Sequence, residues 1–229
     1  SAAQEFEDFI YLISHDVRNS VRALIEVPQW IQEDLEAEGI HVHGSLAENI
    51  DLMNVHTRRL DRMLIDLLIY SRIGRMQSNE LIEWEGVTDG VMDQIKIPDT
   101  FKVLRDFRAP QFRIGSTDAL TLVSSLLSNA VKHAPADSAI DIVADRDSHG
   151  CCLSVRDRGR GVPEVDRLRI LEPFVRGTEP EESGARGTGI GLSIVSETVK
   201  AHGGNLEVSD AEPGARFALY WPCPPASPC

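Results

Sequence analysis

Between Leu46 and Ser71 the chain carries an unbroken alternation of four- and three-residue steps: Leu46, Ile50, Met53, Thr57, Leu60, Leu64, Leu67 and Ser71. A repeat of 3.5 residues places all of these on one seam of an α-helix, and such a seam needs other helices to face it. The seam runs roughly 40 Å at about 1.5 Å per residue, more than one partner helix covers. Upstream, Phe6, Ile10, Ile13, Val17, Val21, Leu24, Pro28, Ile31 and Leu35 recur in steps of three and four and predict a second long helix. The two successive steps of four from Ile13 to Val21 resemble a coiled-coil stutter, and Pro28 predicts a kink. GIHVHGS reads as the turn between the helices, and Ser45 with Glu48 as a capping box for a helix beginning near Leu46. Two helices of this kind cannot bury both stripes against each other. Two hairpins can, as an antiparallel four-helix bundle, so the chain is expected to be a homodimer.

After the polar stretch GRMQSNE the pattern changes. Short β-like runs appear at FKVLRDF, AIDIVAD and CCLSVRD, interleaved with helical segments around 117–133 and 189–202, which is the pattern of an α/β layer. The expected organisation is a helical domain over 1–78, an α/β sandwich over 79–222 and an irregular, proline-rich tail over 223–229. A net charge of −13 argues against a nucleic-acid surface, because phosphate backbones require clustered Lys and Arg. No apolar run reaches the roughly 20 residues of a membrane span, and no signal peptide opens the chain, so this stretch is expected to be soluble, cytoplasmic and not inserted in a membrane. The adjacent Cys151 and Cys152 point to opposite faces of a strand and cannot chelate one ion together. With Cys223 and Cys229 they read as reduced thiols.

Four places carry chemistry. His15 projects about 200° from the apolar stripe of its helix, at about 100° per residue, and so faces solvent. Arg18, Asn19 and Arg22 share that outer face, and Asp16 is placed to orient the imidazole or take its proton. SNAVKH offers Asn129, whose amide oxygen suits Mg²⁺, with Lys132 one turn on to meet a phosphate oxygen. In DRGRG, Asp157 is a carboxylate able to accept from an exocyclic amine such as that of adenine, and Gly159 and Gly161 let the backbone close around a planar base. In GTGIGLSIV, Gly187, Gly189 and Gly191 run into an apolar helix whose first amides form an anion site. The glycine spacing is not that of a dinucleotide fold.

In this order, SHDVRN, SNAVKH, DRGRG, EPF and GTGIGL resemble the sensor histidine kinases of two-component systems. That family joins a dimerising phosphoacceptor hairpin to an ATP-binding domain of the gyrase, chaperone and mismatch-repair (GHKL) type. The resemblance implies His15 as phosphoacceptor, Asp16 as its acidic partner, Asn129 as the Mg²⁺ ligand and Asp157 as the adenine reader. It implies Lys132, His133, Gly159, Gly161, Thr188 and Leu192 at the ATP site, and Phe174 with residues 175–188 as a lid hinged at Gly187, Gly189 and Gly191. It also implies a response-regulator receiver domain as partner, a sensory region upstream, and Asn19 as the polar residue that aims water in the reverse, phosphatase reaction. The end of the second helix, LLIYSRIGR, is similar to kinases attached to light-sensing or related sensory domains. Two positions depart from the pattern: Ser20 replaces the proline common five residues after the histidine, and Ser125 stands where Asn or an acid is usual. The hydrolytic relatives place a water-activating Glu at that second position. A serine there favours transfer to histidine over ATP hydrolysis. The alternatives are an ATPase or serine kinase of the same fold, or a phosphotransfer adaptor that no longer binds nucleotide.

Overall fold

The structure is a computed structural model that describes residues 2–73, 79–148, 150–173, 175 and 189–222, without the side chains of residues 2–11 and of His15. It divides into two compact units, Ser1–Arg72 and Ile73–Cys229.

The first unit is a helical hairpin of α1 (Ala2–Ala37) and α2 (Ser45–Tyr70). The alternation along α2 splits in two: Ile50 and Leu64 are buried, while Leu46, Met53 and Leu60 between and beside them are about 40% exposed. On α1, Val21 is buried whereas Ile13, Val17, Leu24 and Ile31 remain open. One hairpin therefore covers only part of its own stripe. α1 continues through Ser20 and Pro28 without interruption, and the Ser20 hydroxyl donates back to the Asp16 carbonyl at 3.4 Å, a bond that competes only weakly with the helix ladder.

Two local expectations fail here. No capping box forms, because the helix starts at Ser45 itself and Gly44, with φ 59°, takes the cap position with no side chain to offer. Arg18 does not stay on the outer face: its long side chain reaches across to α2, where Nε meets Asp61 Oδ1 at 3.2 Å.

The second unit is a mixed five-stranded sheet with helices on one face. Its strands are β2 (Lys102–Phe107), β4 (Ala139–Arg146), β5 (Cys151–Arg156), β7 (Ala215–Trp221) and β6 (Asn205–Asp210), in that spatial order. β2 and β4 are parallel and the other pairs antiparallel. β1 (Glu80–Glu83) and β3 (Gln111–Ile114) form a separate antiparallel pair, and the helices are α3 (Trp84–Ile95), α4 (Ser116–His133) and α5 (Gly191–Ala201). Period-two alternation drives Ile140, Ile142 and Ala144 of β4, Leu153 and Val155 of β5, and Phe217 and Leu219 of β7 into one core. There they meet Leu122, Leu126 and Leu127 of α4 and Val195 and Val199 of α5. Trp84, Phe112 and Trp221 close one end in edge-to-face contacts, with ring centroids 5.3 to 6.4 Å apart.

Cys152 is a free thiol, but Cys151 is disulfide-bonded, which corrects the expectation of four reduced thiols. Cys151 lies opposite Trp221, the last residue of the closing strand, so it sits where the chain leaves the sheet.

Candidate active site

The site in the second unit is built at the point where β5 ends. Asp157, only 3% exposed, follows the strand directly. Its Oδ1 accepts from the amides of Gly159 at 2.7 Å and Ala215 at 3.3 Å, and its own amide donates to the Ala215 carbonyl at 3.0 Å. Oδ2 has no hydrogen-bond partner among the described residues, so one oxygen is fixed and the other is free to accept from a ligand.

Gly159 is glycine for steric reasons. A Cβ there would stand 2.4 Å from the His133 carbonyl oxygen, so the turn lies against the C-terminal end of α4. Gly161 has φ +79° and faces Gly214 at the β6–β7 turn. Arg158, between the acid and the glycine, ties the turn down: it donates to the Ala139 carbonyl at 2.7 Å and pairs with Asp141 at 2.9 Å.

α4 brings Asn129, Lys132 and His133 to the same place. Its buried residues, Ala119, Leu122, Val123, Leu126, Leu127 and Ala130, hold the helix on the sheet. Asn129 is half-buried and lies a full turn before the helix ends at His133, so it is not a cap. It makes no hydrogen bond among the described residues. Lys132 and His133 stand in the last turn, favourable for cations at the negative end of the helix dipole.

A bridge ties the far ends of α4 and α5 together. His202, just past α5, meets Asp118, in the first turn of α4, at 2.8 Å. The packed helices are therefore antiparallel in chain direction, and both extend from that bridge toward the same end of the layer. Asn129 lies eleven residues after Asp118 and Gly191 eleven before His202, about 16 Å along each helix at about 1.5 Å per residue. Gly189 has φ +77°, and α5 begins at Gly191 with no side-chain cap among the described residues, its first amides lying at the positive end of the dipole. Leu192 is half-buried against the core. A Cβ on Gly191 would meet nothing within 4 Å, so this glycine is not required by packing against described residues.

Phe174, Gly187 and Thr188 lie outside the described residues, as does most of the expected lid over 175–188, and so does the side chain of His15. On α1, Asp16 and Asn19 are exposed. The structure thus gathers Asn129, Lys132, His133, Asp157, Gly159 and the start of α5 at one end of the helical layer. Sequence reasoning missed Gly214 and Ala215, which complete the seat of Asp157. A Cβ on Gly214 would stand 2.0 Å from the Asp157 carbonyl, and the only local signal was a Pro-Gly turn before a strand.

These groups suit ATP with Mg²⁺ in a limited way. Asp157 offers an acceptor beside a glycine turn with no room for a side chain, and α5 offers amides to phosphate. No group of three or more His, Cys, Asp or Glu able to hold a metal occurs among the described residues. A single carboxamide from Asn129 fits Mg²⁺ only as an ion that keeps waters and phosphate oxygens as its other ligands.

Comparison with known proteins agrees with this geometry. Residues 115–225, from the cap of α4 to beyond β7, match the family of histidine kinase-, DNA gyrase B- and HSP90-like ATPases, and the second unit carries that ATPase domain. The sensor protein CzcS of Cupriavidus metallidurans is 27% identical over 228 residues, covering 96% of this chain and 46% of CzcS. The sensor protein IrlS of Burkholderia pseudomallei is 31% identical over 172 residues, covering 72% of this chain and 36% of IrlS. The crystal structure of full-length ShkA in complex with AMPPNP shares the fold with a TM-score of 0.71 at 20% identity, over 96% of this chain and 47% of that one. The chain belongs to the sensor histidine kinases, and it spans less than half the length of the curated relatives it matches.

Proposed function

We propose that this chain is the kinase core of a two-component sensor, in which ATP bound by the second unit phosphorylates His15 and the phosphoryl group then passes to an aspartate of a response-regulator receiver domain. The observation that carries the reading is Asp157: a buried carboxylate with one oxygen fixed by two backbone amides and the other open, beside a turn that excludes any side chain.

In this reading residues 1–78 are the dimerisation and histidine phosphotransfer domain, 79–222 the catalytic domain and 223–229 a tail. Asp157 reads the adenine amine, with Gly159 and Gly161 closing on the base. Lys132, His133 and the first amides of α5, from Gly191 and Leu192, meet the phosphates. Asn129 holds Mg²⁺, which when bound draws charge off the phosphate oxygens. Asp16 takes the proton from one ring nitrogen of His15 while the other attacks the γ-phosphorus. A nitrogen–phosphorus bond forms, the bond to the β–γ bridging oxygen breaks, and its electron pair leaves with ADP. Ser125 cannot activate water as a carboxylate does, which keeps hydrolysis from competing.

The half-exposed seams of α1 and α2 are covered by a second copy of the hairpin, giving an antiparallel four-helix bundle. No helix among the described residues is long and apolar enough to cross a membrane. The reading places this portion in the cytoplasm, where ATP and receiver domains are available, downstream of a sensory region.

The test is incubation with γ-labelled ATP and Mg²⁺, followed by mapping of the label. Acid-labile, base-stable label confined to His15 and absent from His15→Ala is expected. Acid-stable label identifies a serine kinase, release of phosphate without label identifies an ATPase, and no binding of ATP identifies an adaptor. Each would replace this reading.

A further inference from the structure

The face of the five-stranded sheet opposite the helical core carries a second constellation that the kinase reading does not use. Residues alternating with the core positions line an open groove of two adjoining lobes, ≈ 370 and ≈ 390 Å³, which share Val143, Ser154 and Arg216. Strand register sets Arg156 of β5 directly beside Arg216 of β7, and Ser154 beside Ala218 in the next row. Ser154 is small and 4% exposed, so it forms a floor below the longer side chains.

Charge on this face is unevenly satisfied. Asp106 and Asp145 are both paired with Arg108, and Asp141 with Arg158. Asp147 accepts from the Gly150 amide. Burial pushes the Cys152 thiol up from its usual range, so it adds no negative charge. Arg156 and Arg216 have no carboxylate partner among the described residues. Arg156 donates from one terminal nitrogen to the Ala211 carbonyl at 2.6 Å, and its Nε is buried with no partner. Arg216 makes one long bond to the Ser154 hydroxyl, 3.4 Å. Like charges directly opposite on neighbouring strands repel, and a chain with a net charge of −13 has carboxylates to spare for pairing.

We propose that this groove binds the phosphate of a small phosphomonoester between Arg156 and Arg216, with the organic body lying on Val143 and Leu104. Two guanidinium groups match a dianion, and their unused N–H edges suit oxygens spread over a tetrahedral group. The lobe holding both arginines is larger than a phosphate alone needs and falls within the usual range for small-molecule sites. Leu104, 50% exposed on the edge strand, supplies an apolar wall. Arg156 and Asp157 are consecutive residues of an extended segment and point to opposite sides, so this site is separate from the nucleotide site.

The experiment titrates the whole chain with phenyl phosphate at constant ionic strength, by calorimetry, with inorganic phosphate and acetate as parallel arms. Saturable binding is expected in the order phenyl phosphate, inorganic phosphate, acetate. Arg156→Gln and Arg216→Gln should each weaken phenyl phosphate at least about tenfold, the scale of one charge-assisted contact. Asn129→Ala should leave it unchanged, which separates this result from any failure of the kinase reading. Without ligand, Arg216→Gln should melt no lower than wild type, because it relieves repulsion. If either variant fails to fold, Arg156→Lys and Arg216→Lys keep the charge, lose the planar fork and should still bind more weakly. Absence of saturable binding to wild type, equal affinity in the glutamine or lysine variants, or a lower melting temperature for a folded Arg216→Gln overturns the proposal. Equal affinity for inorganic phosphate overturns the organic body.

Discussion

Gly159 and Gly191 both belong to glycine motifs that the sequence marks for nucleotide binding, yet the structure separates them. An alanine methyl at 159 would stand 2.4 Å from the His133 carbonyl oxygen and 3.0 Å from Asp157 Oδ1. The first distance is about 1 Å short of ordinary contact between such atoms, and both neighbours are fixed. The turn must move away from α4, and the 2.7 Å bond from the Gly159 amide to Asp157 goes with it. A hydrogen bond to a carboxylate contributes about 1.5 to 3 kcal/mol, so Gly159→Ala should weaken ATP binding by about 10 to 100-fold and lower stability by a similar energy. At 191 the same methyl meets nothing within 4 Å, and alanine is the better helix former, so Gly191→Ala should bind ATP within about threefold of wild type and be no less stable. A fluorescent ATP analogue competed with ATP gives the affinities, and thermal unfolding gives the stabilities. Equal loss in both variants would mean that motif membership, not the clash, decides. Normal affinity in Gly159→Ala would remove Asp157 and its turn from the site.

Asn129→Ala should lose the Mg²⁺-dependent part of nucleotide affinity while His15 remains phosphorylatable in mixed dimers, checked by binding with and without Mg²⁺ and by labelling. Met53→Glu with Leu60→Glu, both exposed in one hairpin, should give a folded monomer by light scattering; a dimer unaffected by these charges would refute the bundle interface. Asn19→Ala should slow dephosphorylation of purified phospho-regulator about 10 to 1,000-fold in the presence of ADP while leaving labelling of His15 intact, the scale of one lost positioning contact.

The long helices were legible because a heptad repeat is a local pattern: the seam from Leu46 to Ser71 lies on α2 over nearly its whole length. The helix start near Leu46 was read to within a residue, but the capping box was not, because Gly44 takes the cap through its backbone, which no side-chain rule detects. α3 received no assignment in the sequence, since WEGVTDGVMDQI contains two glycines, which weaken a helix. It is held instead by Trp84, Thr88 and Val91, all fully buried. In the site, Asp157, Gly159 and Asn129 were found because their chemistry sits in short motifs. Ala215, which donates to Asp157 from 58 residues away, and the pair of Asp118 with His202, 84 residues apart, were not. Each is an ordinary residue whose role exists only once the sheet and the helical layer have formed.

The bridge between Asp118 and His202 makes α4 and α5 a caliper with its pivot at one end and Asn129 and Gly191 at its two tips. Such an instrument tolerates changes of side chain along its arms but not changes of length. Deleting one residue between Asp118 and Asn129 would draw one tip back about 1.5 Å and swing it about 100° around the arm, taking Asn129 off the opening that faces α5. A matching deletion in α5 would restore the level of the tips but not the direction in which they face. Insertions and deletions in this layer are therefore expected to survive only beyond the pivot or beyond the tips, so the spacing from Asp118 to Asn129 and from Gly191 to His202 should be harder to alter than the residues that fill it.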